Sequence, residues 1–304
     1  MEYFRLLPAF ALLCLLGRSN ASLPAQQYWE AKLPNTPLPN ALRDLIVADN
    51  HVGDLKIAVD TETIEDWQIL YNIFNYAATA TQVEQSAISN TTTFFLYKDL
   101  HPNTKMRLNF MQSKNKATFL SYQVAESIPF SSDKLSEIFD RFSVSSSSPA
   151  AKAVKRTVEQ CEQPSIRGEE KHCATSLESM VDFNIAKLGK NVRLLSTEVQ
   201  QETKPEQEEY TVSSGIRVVG DNAVICHKQV YPYAVFYCHS INATRVHVVP
   251  LIGQNGSKIR AVGICHMDTS EWSAHHLAFK VLGVSPGPPI CHFPGRDTFV
   301  WFSN

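Results

Sequence analysis

The sequence predicts an α+β protein: an antiparallel, β-rich domain, sandwich or barrel-like, with a helical segment in its middle and disulfide staples. Three observations carry this. β-Favouring residues alternate in TTTFFLYKDL, TKMRLNFM and ATFLSYQV, and again from Asn191 to the end. Between these stretches the apolar residues recur at helical spacing, with recognisable start and stop signals. Six cysteines remain once a removable leader is set aside, and an even number outside the cytosol reads as three disulfides.

The leader is residues 1–21. Arg5 precedes an apolar run from Leu6 to Gly17, and small residues follow at Ser19 and Ala21, the pattern of a secretory signal peptide. The run is too short for a membrane span, and no other stretch approaches ~20 apolar residues. The expectation is therefore entry into the secretory pathway, ending in the extracellular space or vacuole, with no membrane contact after signal removal. Asn-x-Ser/Thr sequons at Asn90, Asn242 and Asn255 fit a glycoprotein on that route. The formal charge is −2 and no Lys/Arg cluster stands out, which argues against nucleic acid as a partner.

Residues 22–90 form an N-terminal segment. It begins with QQYWEAKLPNTPLPNALRDLI, where the close prolines suggest an extended stretch docking on something. Residues 49–90 have weak periodicity and read as a linker or processed region. The domain proper is placed at 91–304. Its helical middle starts with an apolar face of Leu135, Ile138, Phe139 and Phe142. Ser148-Pro149 then caps a helix carrying Val154, Val158 and Cys161. Thr175 and Glu178 suggest a capping box for a third helix, which Gly189 stops. Cys161 and Cys173 flank the connection between the last two, where a disulfide is expected. A short helix is expected around Ala274 to Leu282, with His275-His276 on a solvated face. The acidic run Glu198, Glu202, Glu206, Glu208 and Glu209 reads as a hydrated loop.

The dipeptide Cys-His occurs four times: Cys226-His227, Cys238-His239, Cys265-His266 and Cys291-His292. In a strand, successive side chains point to opposite faces, so each dipeptide offers sulfur to one side and imidazole to the other. That argues against one ordinary zinc finger, whose ligands must meet at one tetrahedral ion. Tyr231-Pro232-Tyr233 lies midway between the first two dipeptides, and a hairpin folded about Pro232 sets Cys226 opposite Cys238. His227 and His239 then form a diagonal pair on the other face, within reach of one metal ion. His266 and His292 complete that site or form a second. Pairing Cys161 with Cys173, Cys226 with Cys238 and Cys265 with Cys291 is the simplest arrangement; Cys226–Cys265 with Cys238–Cys291 would staple a sheet equally well. With the thiols oxidised, zinc loses its favoured sulfur ligands, and a nitrogen and oxygen site leans toward Cu(II).

The series CH-x10-CH-x25-CH-x24-CH resembles the signature of the plant BURP domain. Supporting phrases are TTTFFLYKDLHPNTKM, KHCATSLESMVDF, VGDNAVICHKQVYPYAVFYCH and CHFPGRDTFVWF, and LPNTPLPNALRDLI resembles the segment that commonly follows the signal in this family. Without long tandem repeats before the domain, the chain looks like the compact, seed-protein-like branch. Some members of the family are copper-dependent, self-modifying peptide cyclases, which use copper and dioxygen to join a Trp or Tyr side chain to another residue of a core peptide on the same chain. By this resemblance His227, His239, His266 and His292 hold one or two Cu(II) ions and act catalytically through them, while His101, His172 and His247 have no motif support. The candidate self-substrate is EDWQILYNIFNY, with Trp67, Gln68 and Tyr71 foremost. Tethering such a substrate raises its effective concentration. The alternative the resemblance implies is a non-enzymatic protein of the cell wall or seed vacuole, with polysaccharide or a wall enzyme as its partner. No serine, cysteine or carboxylate constellation points to a hydrolase, and no glycine-rich phosphate loop is present.

Overall fold

The computed structural model describes residues 24–46, 91–110, 116–199 and 208–303. In these the strands are, in chain order, β1 (Phe95–Leu96), β2 (Lys105–Leu108), β3 (Glu169–Ala174), β4 (Val192–Leu195), β5 (Glu198–Val199), β6 (Glu208–Val212), β7 (Arg217–Gly220), β8 (Ala223–Lys228), β9 (Phe236–Ile241), β10 (Thr244–Gly253), β11 (Lys258–His266), β12 (Ile290–His292) and β13 (Thr298–Ser303). The helices are α1 (Pro24–Lys32), α2 (Asn40–Arg43), α3 (Tyr122–Glu126), α4 (Leu135–Arg141), α5 (Pro149–Glu162), α6 (Leu177–Leu188) and α7 (Leu277–Leu282). The expected α+β, disulfide-stapled architecture is present.

Two antiparallel sheets form the body. The smaller runs β3-β9-β8-β13-β4; the larger runs β1-β12-β11-β10-β6-β2, with β5 also pairing with β11 and β7 with β10. Residues two apart share a face. Ala223, Ile225, Val300 and Phe302 of the smaller sheet therefore meet Val246, Val262 and Ile264 of the larger in one buried cluster, the filling between the layers. On the opposite face of the smaller sheet, Val224, Cys226, Cys238, Phe236 and Trp301 pack under α1 and α6. The opposite face of the larger sheet carries its own cluster, which includes Val249, Ala261, Cys265 and Cys291.

The central helices form as the residue pattern implies, for local reasons. Ser148 accepts a hydrogen bond from Ala151 N at 3.1 Å and Pro149 opens α5, where its missing N–H costs nothing. Gly189, at φ 78°, ends α6, a backbone region that suits glycine. Helices α3, α4 and α5 gather around Tyr231 and Tyr233, so the β8–β9 turn is buried in apolar side chains, contrary to the usual exposure of turns. Thr157 fixes it by donating to Val230 O at 3.0 Å.

Several expectations need correction. ATFLSYQV is not a strand: Phe119 makes one isolated bridge to Ile46, and α3 begins at Tyr122. Its alternation reflects Phe119 and Leu120 anchoring in clusters on opposite sides. TTTFFLYKDL yields only β1 before a 3-10 turn at Tyr97–Asp99. The N-cap of α6 is Ser176, not Thr175; it accepts from Ser179 N at 3.1 Å, and Glu178 then stands at the second helical position, one too early to close a box with Ser176. The acidic run is not a loop throughout, because Glu198 pairs with Arg260 in β5 and Glu209 with Lys105 in β6; Glu202 and Glu206 lie outside the described residues.

The segment after the leader does dock, but as helix. Trp29 of α1 is 1 % exposed, lies 5.2 Å from the Trp301 ring and donates Nε1–H to Thr36 O at 2.7 Å. Leu33, Leu38 and Leu42 are buried with it. Residues 24–46 are thus part of the domain's core. Trp67, Gln68, Tyr71 and Asn90 lie outside the described residues, as does the leader. Asn242 and Asn255 are exposed.

Candidate metal centre

Hairpin β8–β9 has the register expected from folding about Pro232: Cys226 opposes Cys238, and Ile225 opposes His239. The β11–β12 pair repeats the arrangement, with Cys265 opposite Cys291 and Ile264 opposite His292. The disulfides are Cys161–Cys173, Cys226–Cys238 and Cys265–Cys291; the last two join directly opposed residues, with Cα atoms 3.9 and 4.0 Å apart. The alternative of staples between the two Cys-His hairpins is excluded. Because sulfur and ring in each dipeptide point to opposite faces, both of these disulfides are turned away from the filling between the sheets, and all four imidazoles are turned into it.

The rings are 0–2 % exposed. His227 and His239 meet with Nε2 atoms 3.3 Å apart and ring centroids 5.3 Å apart. His266 and His292 stack at 5.7 Å with an interplanar angle of 15°. The pairs are neighbours. Burial pushes His227 well below its ordinary pKa, and the charges of His239, His292 and His266 push it the same way. Burial acts likewise on His266, followed by His292, His239 and His276. His292 is lowered to about 3, by burial first and then by His239 and His276. At neutral pH these three rings are uncharged, the form in which imidazole binds metals.

Partners hold the outer nitrogens. Thr298 Oγ1, directly opposite His227 across β13, lies 3.2 Å from its Nδ1. Thr244 Oγ1, opposite His266 across β10, lies 3.0 Å from its Nδ1. Glu169 Oε1 lies 3.2 Å from His239 Nδ1 and accepts from Tyr237 OH at 2.9 Å. Burial alone would raise the Glu169 pKa, but its hydrogen bond to and attraction for His239, with bonds from Ile166 N and Tyr237, hold it below the ordinary value. The second pair has an aromatic setting: Trp272 packs edge-on to His266 at 5.1 Å and to His276 at 4.8 Å.

Sequence reasoning missed His276. It is 1 % exposed, not on a solvated helix face: its Nδ1 caps α7 by accepting from Ala278 N at 3.2 Å, and its ring lies beside Trp272 and Phe94. His275 is exposed as expected. Glu169, Thr244, Thr298 and Trp272 were also missed, and no spacing in the sequence marks them. His101 is exposed, His172 stacks on Phe183 on the far face of the smaller sheet, and His247 faces Tyr97 on the far side of the larger one, so none joins the four rings. A cleft of about 270 Å³, lined by Arg167, Asn242, Asp268 and Glu271 among others, reaches Trp272 from outside.

The donor chemistry suits a metal at the His227–His239 pair. For metal–imidazole bonds of about 2.0–2.1 Å, the edge of a tetrahedron is about 3.3 Å, the separation of these two Nε2 atoms. Their Nδ1 atoms have oxygen partners, the usual outer support of ligating histidines. Among the described residues, however, no three His, Cys, Asp or Glu side chains close on one point. The rings are brought together as two pairs, not as one assembled four-ligand site.

A family model described as the BURP domain matches residues 93–303. The chain is 47 % identical over 237 residues to "BURP domain protein RD22" of Arabidopsis thaliana, covering 76 % of this chain and 60 % of that protein. It is 46 % identical over 235 residues to "BURP domain-containing protein 3" of Oryza sativa subsp. japonica, covering 75 % and 54 %. With "BURP domain-containing protein 5" of the same organism the identity is 38 % over 292 residues, covering 94 % and 89 %. The chain thus spans little more than half the length of the first two relatives.

Proposed function

This chain belongs to the BURP domain family of plants, and from that premise we propose that it is a secreted copper protein that oxidatively cross-links an aromatic side chain of its own N-terminal segment. The observation that carries the reading is the convergence of four buried imidazoles between the sheets, two with Nε2 atoms 3.3 Å apart. His227 and His239 would hold one Cu(II), and His266 with His292 a second or the remainder of the same site. Bound copper, with dioxygen as terminal oxidant, would supply one-electron oxidation of an aromatic ring. The protein's part is to keep His227, His266 and His292 neutral, exclude bulk water and turn the disulfide sulfurs of the Cys-His dipeptides to the other faces. Three disulfides and the apolar leader support a secretory route.

Residues 47–90, which include Trp67, Gln68 and Tyr71, lie in the chain between residues held on the domain. Phe119 N donates to Leu45 O at 2.7 Å before them, and Thr92 N donates to Arg107 O at 2.7 Å after them. A substrate carried on the same chain meets its own domain at high effective concentration. The cleft that ends on Trp272, whose ring abuts His266, offers an approach from outside. Full burial of the four rings favours the second reading, in which the imidazoles are structural and the protein acts without catalysis on polysaccharide or a wall enzyme.

One experiment separates the two. Metal-free protein is incubated with Cu(II) under air, digested and analysed by mass spectrometry. Cross-linking removes two hydrogens, as two protons and two electrons, so a peptide containing Trp67 or Tyr71 should lose two hydrogen masses. Absence of that loss, with or without bound copper, supports the non-catalytic second reading.

A further inference from the structure

Glu169 begins β3, the strand beside β9, and its side chain is 4 % exposed. Both carboxylate oxygens are engaged: Oε1 with Tyr237 OH and His239 Nδ1, Oε2 with Ile166 N at 3.1 Å. A carboxylate only accepts hydrogen bonds, so the nitrogen facing it carries hydrogen. A neutral imidazole has one N–H, so in its neutral form, the form that binds a metal, His239 presents a bare lone pair at Nε2, aimed at His227 Nε2. Two lone pairs at that distance would repel. In the metal-free protein the conflict is resolved if His227 carries its hydrogen on Nε2 and donates it to His239, while Thr298 donates O–H to His227 Nδ1.

We propose that Glu169 is a positioning residue that selects the Nδ1–H form of His239, and that Thr298 is the reversible partner that lets His227 exchange its hydrogen for a metal ion. This rests on the reading above that the pair holds a metal; the assignment to Glu169 concerns the metal-free state and stands apart from it. When a divalent cation takes both Nε2 lone pairs, His227 must carry its hydrogen on Nδ1. Thr298 then turns from donor to acceptor, which a hydroxyl can do and a carboxylate cannot. One hydrogen leaves Nε2 of His227 and one is gained at Nδ1 of the same ring, so no net proton is released.

The test is long-range ¹H–¹⁵N correlation on metal-free protein labelled at histidine, with Zn(II) as a diamagnetic probe. His239 should show a protonated Nδ1 and a bare Nε2, with the reverse at His227. Zn(II) should move the His227 hydrogen to Nδ1 and leave His239 as it was. E169Q, whose amide can donate, should shift His239 toward Nε2–H and weaken Zn(II) binding about 10- to 100-fold. T298V should weaken binding similarly and T298S should restore it. A bare Nδ1 on His239 in the wild type overturns the proposal even if E169Q fails to fold, and so does an unchanged His239 signal in a folded E169Q. Failure of the wild type to bind Zn(II) or Cu(II), with His239 in the expected form, would sink the metal reading while sustaining the role of Glu169.

Discussion

Acidification should unfold this protein through its buried histidines. His292 titrates at about 3 in the folded state against 6.5 for an ordinary histidine. The unfolded chain then binds a proton that the folded chain refuses, so the stability this ring contributes is fully present above pH 6.5 and lost as the pH falls toward 3. Between pH 7 and pH 5 that loss is about 2 kcal/mol for one ring kept neutral. His227 and His266 are shifted in the same direction and are as deeply buried. Each of them that stays neutral at pH 5 adds to the loss, against a whole stability of about 5–15 kcal/mol for many domains. Glu169 does not offset this, because its lowered pKa keeps it ionised throughout the window. The assay is urea unfolding of the metal-free protein at pH 7, 6 and 5, followed by tryptophan fluorescence. H292F should remove about 2 kcal/mol of the pH dependence, whatever it does to absolute stability. An unfolding free energy that is flat from pH 7 to 5 would refute the reasoning, since the rings would then be accepting protons inside the fold.

Trp29→Ala should destabilise by about 3–5 kcal/mol, because it empties the contact with Trp301 and leaves the Thr36 carbonyl without its donor. Trypsin cleavage at Lys32 and Arg43 should accelerate with it, and unchanged proteolysis would show that residues 24–46 are not held as described. Replacing Cys226 and Cys238 together by alanine should lower stability by about 3 kcal/mol, read by the same urea titration. Substituting His227 and His239 together by alanine should lower the copper bound per chain, measured after dialysis, with the three disulfides still formed. His101→Ala should leave copper unchanged, its ring being exposed and outside the cluster.

Much of the site could be read in advance because strands obey a local rule. A dipeptide in a strand splits its side chains between two faces, and Pro232 between two β-favouring runs fixes a hairpin register, so Cys226 opposite Cys238 and the diagonal His227–His239 pair followed from spacing alone. The same held for the cap of α5 and the stop of α6, which are encoded within a few residues of the helix end, whereas the cap of α6 lies one residue later than the spacing implied. His266 with His292 was less accessible, since the residues between them include α7 and three prolines whose path depends on packing. His276 was misplaced because an exposed helix face and a buried N-cap look alike without the tertiary neighbours Trp272 and Phe94.

By itself the sequence determined which residues pair across the β8–β9 hairpin and that sulfur and ring of each Cys-His dipeptide take opposite faces, because those follow from backbone periodicity and chain connectivity. It could not decide what faces those imidazoles. Glu169 lies 70 residues from His239 and Thr298 lies 71 from His227; Asn184 of α6, 42 residues away in the chain, lies 3.6 Å from Cys226 Sγ of the Cys226–Cys238 disulfide. These contacts come from the stacking of one sheet on another and of helices on both, where buried apolar area, summed over the whole molecule, selects the partners that no local pattern names.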